Sequence, residues 1–183
     1  GPGPALMVPT VPGSRLLVSR GDVDAAFARL VAATQLLVDR DPCVLLGVLL
    51  GGLLPLARLA GQLQGDFVLD TCRVGRYGAA TRGGIPQWLA QPRAELRDRH
   101  VVLVDDIYDE GITLEFLVRH CQEAGARHIT TVVLVRKRHG RAQAGVQPDL
   151  VGLEVGDEYV FGCGMDYQGH WRHLPEIWGL PET

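Results

Sequence analysis

Four carboxylates fall within six residues in the stretch VVLVDDIYDEGITLEF, residues 101–116. Asp105 and Asp106 close an apolar run, Asp109 and Glu110 follow, and Gly111, Ile112 and Thr113 come next. The VVLV run reads as a buried strand, and the apolar spacing becomes helical from Thr113. Ligands of open parallel sheets bind at the carboxyl ends of the strands, and this is such an end. The amides at a helix N-terminus are a natural cradle for a phosphate. Asp105 and Asp106 would repel a bare phosphate, but they suit ribose hydroxyls or a Mg2+ ion. One short segment thus offers a phosphate seat at one end and a sugar or metal seat at the other. A ribose 5-phosphate has that layout. On charge counting alone, an acidic turn capping a helix accounts for the same residues.

The surrounding elements are legible in outline. RLLVS (15–19) reads as a short strand. Asp22 can cap a helix running to about residue 38, with Val23, Ala26, Phe27, Leu30, Val31 and Thr34 on one face. CVLLGVL (43–49) has the continuous apolar character of a strand covered on both faces. Gly51 and Gly52 punctuate it, and a helix follows over 53–63. Strands are expected at 67–74, 101–104, 129–135, 150–155 and 159–161. A helix at 113–125 is ended by Gly125, and GRYGAATRGG (75–84) reads as a loop. Strands alternating with helices predict an α/β fold with a mostly parallel sheet. With no internal repeat and no dividing linker, the expectation is a flexible leader over 1–14 and one domain over 15–183.

Composition narrows the function. The chain has 183 residues, 46% of them hydrophobic and 21% charged, the balance of a folded globular domain. Its net charge of −3 supplies no global basic field to recruit nucleic acid. Cys43, Cys72, Cys121 and Cys163 lack metal-ligand spacing, and a reduced, cytoplasmic protein is expected. The opening GPGPALMVPTVPG lacks a basic start and a continuous apolar run, so no secretory signal is expected. The most apolar stretch, 43–56, is too short and too interrupted to span a membrane.

The strand, two acids, two hydrophobics and acid-x-Gly-x-Thr of residues 101–113 resemble the phosphoribosyl pyrophosphate (PRPP) signature of the type I phosphoribosyltransferases. LGVLLGGLLPLA (46–57) is similar to that family's pyrophosphate-binding strand and loop, and RKR (136–138) to its purine-contacting segment. The tail GDEYVFGCGMDYQGHWRHLPEI (156–177) resembles the C-terminal signature of the hypoxanthine-guanine phosphoribosyltransferases. The resemblance implies a central twisted, mostly parallel sheet flanked by helices, with a small hood formed by terminal segments. It implies transfer of a phosphoribosyl group from PRPP to hypoxanthine or guanine, giving IMP or GMP and pyrophosphate, with Mg2+ as cofactor.

Roles follow residue by residue from that resemblance. Asp109 matches the acid beside the purine N7 and is the candidate general base. Asp105 and Asp106 match the pair that engages ribose hydroxyls, directly or through Mg2+. Glu110, Gly111, Ile112 and Thr113 would wrap the 5-phosphate. Leu50, Gly51 and Arg172 match pyrophosphate contacts. Lys137 matches the lysine that bonds the purine O6, Tyr159 the stacking aromatic, and Val160 a donor of backbone groups to the purine edge. Asp166 matches a second Mg2+ ligand near the base. Arg76 and Tyr77 belong to the mobile lid, where Arg76 or Arg82 would reach pyrophosphate. The departures are Glu110, where threonine or serine is common, and Leu50, where lysine is common. Glu110 is expected to point away from the phosphate. A non-proline cis peptide near residues 49–50 and a homodimer or homotetramer are also implied. A xanthine-preferring enzyme, or a non-catalytic nucleotide-sensing RNA-binding regulator on the same fold, would share most of these residues.

Overall fold

The computed structural model describes residues 8–78 and 84–181. Twelve elements follow in chain order. They are β1 (Arg15–Val18), α1 (Arg20–Arg40), β2 (Cys43–Leu49), α2 (Leu53–Gln62), β3 (Val68–Tyr77), β4 (Ile85–Ala90), β5 (His100–Tyr108), α3 (Ile112–Glu123), β6 (His128–Lys137), β7 (Leu150–Val155), β8 (Glu158–Phe161) and β9 (Ile177–Pro181). The main sheet has the order β4-β3-β2-β5-β6-β7. Its strands are parallel except β4, which pairs antiparallel with β3. A separate antiparallel sheet, β1-β9-β8, joins the two ends of the chain into the expected hood.

The apolar runs become the central strands because both faces of the main sheet are covered. Alternate side chains point to opposite faces. Leu45, Val102 and Val104 pack with Val23, Phe27, Leu56 and Leu59 of α1 and α2. Val44, Leu46, Val101 and Leu103 pack with Leu117 and Cys121 of α3 on the other side. A strand buried on both faces has no polar positions until it ends. In β5 that end is Asp105, held in the sheet beside Val133 of β6.

The structure departs from expectation in several places, among them β9, where no strand was expected, and β3, which runs on to Tyr77 into the expected loop. Ser19, not Asp22, caps α1: Asp22 N–H donates to Ser19 Oγ at 3.2 Å. β5 runs on to Tyr108, so Asp105 and Asp106 lie in the strand rather than in the turn after it. β4 forms where no strand was expected; with Pro86 it occupies the sheet edge, where a missing donor is tolerated. The leader assigned to 1–14 is packed in part, for Val11 is buried against Phe161, Leu174 and Trp178 under the hood. Among the described residues no helix is long and apolar enough to cross a membrane.

The tail between β8 and β9 depends on glycine. Gly162 has φ +100°, and a Cβ there would lie 2.1 Å from the Glu176 carbonyl oxygen. Both left-handed strain and a backbone clash would result. Gly162→Ala should therefore lower stability by about 2–3 kcal/mol. Gly61→Ala, in α2 with nothing within 4 Å of the added carbon, should raise it by roughly 0.5–1 kcal/mol. Denaturant unfolding of the two variants checks the pair.

Candidate active site

The end of β5 is built from side chains that turn back on their own backbone. Asp106 N–H donates to Asp105 Oδ1 at 2.8 Å, and Ile107 N–H donates to Asp106 Oδ1 at 2.7 Å. Burial pushes the Asp105 carboxyl well above the ordinary carboxylate range, and the neighbouring Asp106 charge adds to it. Burial raises Asp106 as well, against the positive charge of Arg172. The ionised pair is thus under-compensated by the protein. Hard oxygen donors in that state suit a divalent cation such as Mg2+, which would supply the missing charge. Asp166, expected as a second Mg2+ ligand, lies on the tail, and among the described residues no group of three or more His, Cys, Asp or Glu is already clustered for a metal ion. Asp166 Oδ2 accepts Gly169 N–H at 2.7 Å, and its Oδ1 lies 3.5 Å from Arg172.

Beyond the acids the chain turns at Gly111, whose φ of +80° sets the start of α3. A Cβ at Gly111 would lie 2.7 Å from the Tyr108 ring. That ring is buried beneath the turn and anchored by its hydroxyl, which donates to the Val146 carbonyl at 2.8 Å. No side chain caps α3, so the first-turn amides keep their capacity for an anion. They open on a cavity of about 240 Å3 lined by Arg76, Asp105, Asp109, Glu110, Gly111 and Thr113, among others. Arg76 reaches across from β3 and donates to Thr113 Oγ1 from Nη2 at 2.7 Å and Nε at 3.1 Å. Burial lowers this guanidinium from its ordinary value, and the charges of Glu110 and Asp105 oppose that. Glu110, expected to turn away, therefore acts on the cation that stands over the cradle.

Two further segments close on the acids. A Cβ at Gly51 would lie 1.9 Å from Asp106 Oδ2, and one at Gly164 would lie 2.2 Å from the Gly51 carbonyl oxygen. The loop after β2, the tip of β5 and the tail thus meet at contact distance, with glycine where they touch. Leu49–Leu50 is a cis peptide, and Leu50 is partly exposed. Arg172 clamps the tail by donating from Nη1 to the Gly164 carbonyl at 2.7 Å.

Strand alternation sorts RKR. Arg136 and Arg138 pair with Glu154 on β7, whereas Lys137 is buried and places Nζ 3.6 Å from Asp109 Oδ2. Tyr159 is exposed at the rim, and its hydroxyl donates to the Asp166 carbonyl at 2.7 Å. Val160 is buried in β8, the edge strand of the hood. Burial alone would raise the Asp109 carboxyl. The Arg141 hydrogen bond and the charges of Lys137, Arg141 and His139 outweigh it and hold Asp109 below its ordinary value.

The structure therefore brings together Asp105, Asp106, Asp109, Glu110, Gly111, Ile112, Thr113 and Lys137 with Leu50, Gly51, Tyr159, Asp166 and Arg172 from the loop and tail. Arg76, read as a lid residue that would reach pyrophosphate on closure, bonds Thr113 Oγ1 in this structure. Tyr77 ends β3 exposed. The rest of the expected lid, with Arg82, lies outside the described residues. Three residues at this end of the sheet carried no sequence signal. His139 and Arg141 both contact Asp109, and Arg141 also pairs with Asp157 at 2.7 Å.

The chain matches the phosphoribosyl transferase domain family over residues 21–168. It is similar to the hypoxanthine-guanine phosphoribosyltransferase of Bacillus subtilis, 32% identical over 165 residues, covering 89% of this chain and 91% of that protein. The Streptococcus pneumoniae protein of the same name is 29% identical, covering 92% of this chain and 93% of its own length. A hypoxanthine phosphoribosyltransferase crystal structure from Staphylococcus aureus shares the fold, with a TM-score of 0.85 over 91% of this chain and 90% of that one, at 24% identity.

An acid whose pKa is raised by folding binds its proton more tightly folded than unfolded, so stability falls as pH rises through that range. The Asp105 carboxyl should therefore burden the metal-free protein at neutral pH. Asp105→Asn should melt at a higher temperature than the wild type at about pH 7.5 without divalent cations, the gain shrinking as pH falls toward about 4. Thermal unfolding across that range checks it. A variant less stable at every pH would contradict the assignment.

Proposed function

Since the chain belongs to the phosphoribosyl transferase family, we propose that it is a purine salvage enzyme that moves the phosphoribosyl group of PRPP onto hypoxanthine or guanine. The products are IMP or GMP and pyrophosphate. One observation carries the reading: an open anion cradle, an under-compensated carboxylate pair and a buried lysine share the carboxyl end of one sheet. These are the seats that a phosphate, a ribose with its cation, and a 6-oxopurine require.

The first-turn amides of α3 and the Thr113 hydroxyl hold the 5-phosphate, with Arg76 adding charge. Asp105 and Asp106 accept the ribose hydroxyls and would hold a Mg2+ ion, whose charge would offset that of the departing pyrophosphate. Gly51 and Leu50 offer backbone amides to the pyrophosphate, and Arg172 supplies positive charge beside them. The purine stacks on Tyr159, and its edge meets the backbone of Val160 and the segment at Asp166. Lys137 can only donate, so it pairs with a 6-oxo group and opposes the 6-amino group of adenine. As purine N9 attacks C1′ of the sugar, positive charge develops on the purine. Asp109, kept ionised by the cations around it, offsets that charge through the N7–H hydrogen bond and, as general base, takes the N7 proton as the nucleotide forms. Asp109 is thus the catalytic residue of the reading.

The four buried free thiols suit a reducing cytoplasmic setting. Assembly into a homodimer or homotetramer fits the exposed apolar side chains of Leu69, Ile85 and Leu89 on β3 and β4.

With PRPP and Mg2+ supplied, hypoxanthine and guanine should yield nucleotide and adenine should not. Xanthine in the same assay reports the 2-position. Asp109→Asn should lower kcat by about 10²–10⁴-fold while leaving PRPP binding near wild type. Nucleotide formation and PRPP titration measure both. A protein inert with all four bases would sink the enzyme reading, and RNA binding at physiological salt would then favour the regulator.

A further inference from the structure

Arg141 lies half-buried in the segment between β6 and β7, and it reaches two elements at once. Its Nη2 donates to Asp109 Oδ1 at 2.8 Å, and its Nη1 donates to Asp157 Oδ2 at 2.7 Å. Asp109 stands on the turn after β5, and Asp157 directly precedes β8 of the hood. Tyr159, the aromatic wall of the base slot, follows Asp157 by two residues. The guanidinium therefore joins the acid on one side of that slot to the strand that forms its other side. A guanidinium presents its donors in a rigid planar fork, so one group can fix two carboxylates at a set separation.

The segment is attached to the turn without Arg141. The Asp109 carbonyl accepts from His139 Nε2 at 2.8 Å and from Gln143 Nε2 at 3.1 Å, and Ala144 N–H donates to the Glu110 carbonyl at 2.8 Å. Those bonds fix the backbone of the turn and not the carboxylate, whose terminal torsion is broad. Arg141 acts on the carboxylate itself. With Oδ1 held, Oδ2 has a set place, where the Lys137 ammonium stands at a looser 3.6 Å.

We propose that Arg141 is a positioning residue: anchored by Asp157, it holds Asp109 Oδ1 so that Oδ2 meets the N7–H of the purine. The inference rests on the purine transfer set out above. The competing role is structural, a tie between loop and hood whose loss would bear on every ligand of the slot alike.

Two nucleotides separate these roles. The C-linked 9-deaza analogue of IMP carries a hydrogen on N7, whereas IMP carries none there, and the two are close in shape. The wild type should form nucleotide from hypoxanthine and, in calorimetric titration, bind the analogue more tightly than IMP. Arg141→Met should lose about tenfold of that preference, while its affinity for IMP stays within about threefold of wild type. Asp157→Ala should shift the preference in the same direction. Arg141→Met combined with Asp157→Ala should lose no more than Arg141→Met alone, because both act through one link. Equal weakening toward both nucleotides, or a preference unchanged in either single variant, overturns the proposal. Thermal melting shows whether each variant folds, and Asp157→Ala carries the same test should Arg141→Met not fold. A wild type that forms no nucleotide overturns the enzyme reading and the proposal with it. An active wild type whose variants keep the preference overturns the proposal alone.

Discussion

Two carboxylates desolvated side by side at the end of the central strand set the terms for everything around them. β5 is apolar on both faces, wedged between β2 and β6, and it carries Asp105 into the sheet before it stops. Burial raises both carboxyls above their ordinary range, and the nearby charges of Arg76 and Arg172 offset this only in part. Sites of this kind trade stability for function. The neighbouring segments are shaped by the same constraint. Asp106 needs room, and glycine gives it at position 51; the tail must come close, and glycine allows it at position 164. Larger residues at either position would push the loop or the tail off the acids.

The turn after β5 has its own supports, drawn from distant parts of the chain. Tyr108 props it from below, Arg76 reaches the cradle from β3, and the segment after β6 fastens it from above. Arg76 also bears on the chain's departure at Glu110. A carboxylate beside a phosphate seat is unfavourable, and a guanidinium on the same cavity offsets it. At Leu50 the loop has no side-chain charge to offer. Arg172, clamped to the Gly164 carbonyl, stands on the tail that packs on that loop.

Much of this was readable from residue types. Continuous apolar runs located β2 and β5, because only strands covered on both faces tolerate them. The strand at 150–155 has the bounds that the structure gives it. The acidic stretch suggested phosphate and sugar seats, but its charges alone fitted a helix-capping turn equally, and only the family resemblance turned the reading toward those seats and toward a base slot in the tail. What was not readable came from pairing at a distance. β4 is IPQWLA, a segment with a proline and no strong period, and it becomes a strand only against β3. β9 and the burial of Val11 depend on the chain ends meeting in the hood. Ser19 and Asp22 are both good caps, and periodicity does not tell which comes first. His139 sits in an irregular segment 30 residues from the aspartate it contacts, where no spacing rule applies.

The most direct test is a crystal structure with a purine nucleoside 5′-monophosphate and Mg2+. The account predicts the phosphate on the amides of residues 110–113, the ribose hydroxyls toward Asp105 and Asp106, and the purine between Tyr159 and Lys137. A phosphate seated anywhere else, with the tip of β5 untouched, would contradict it.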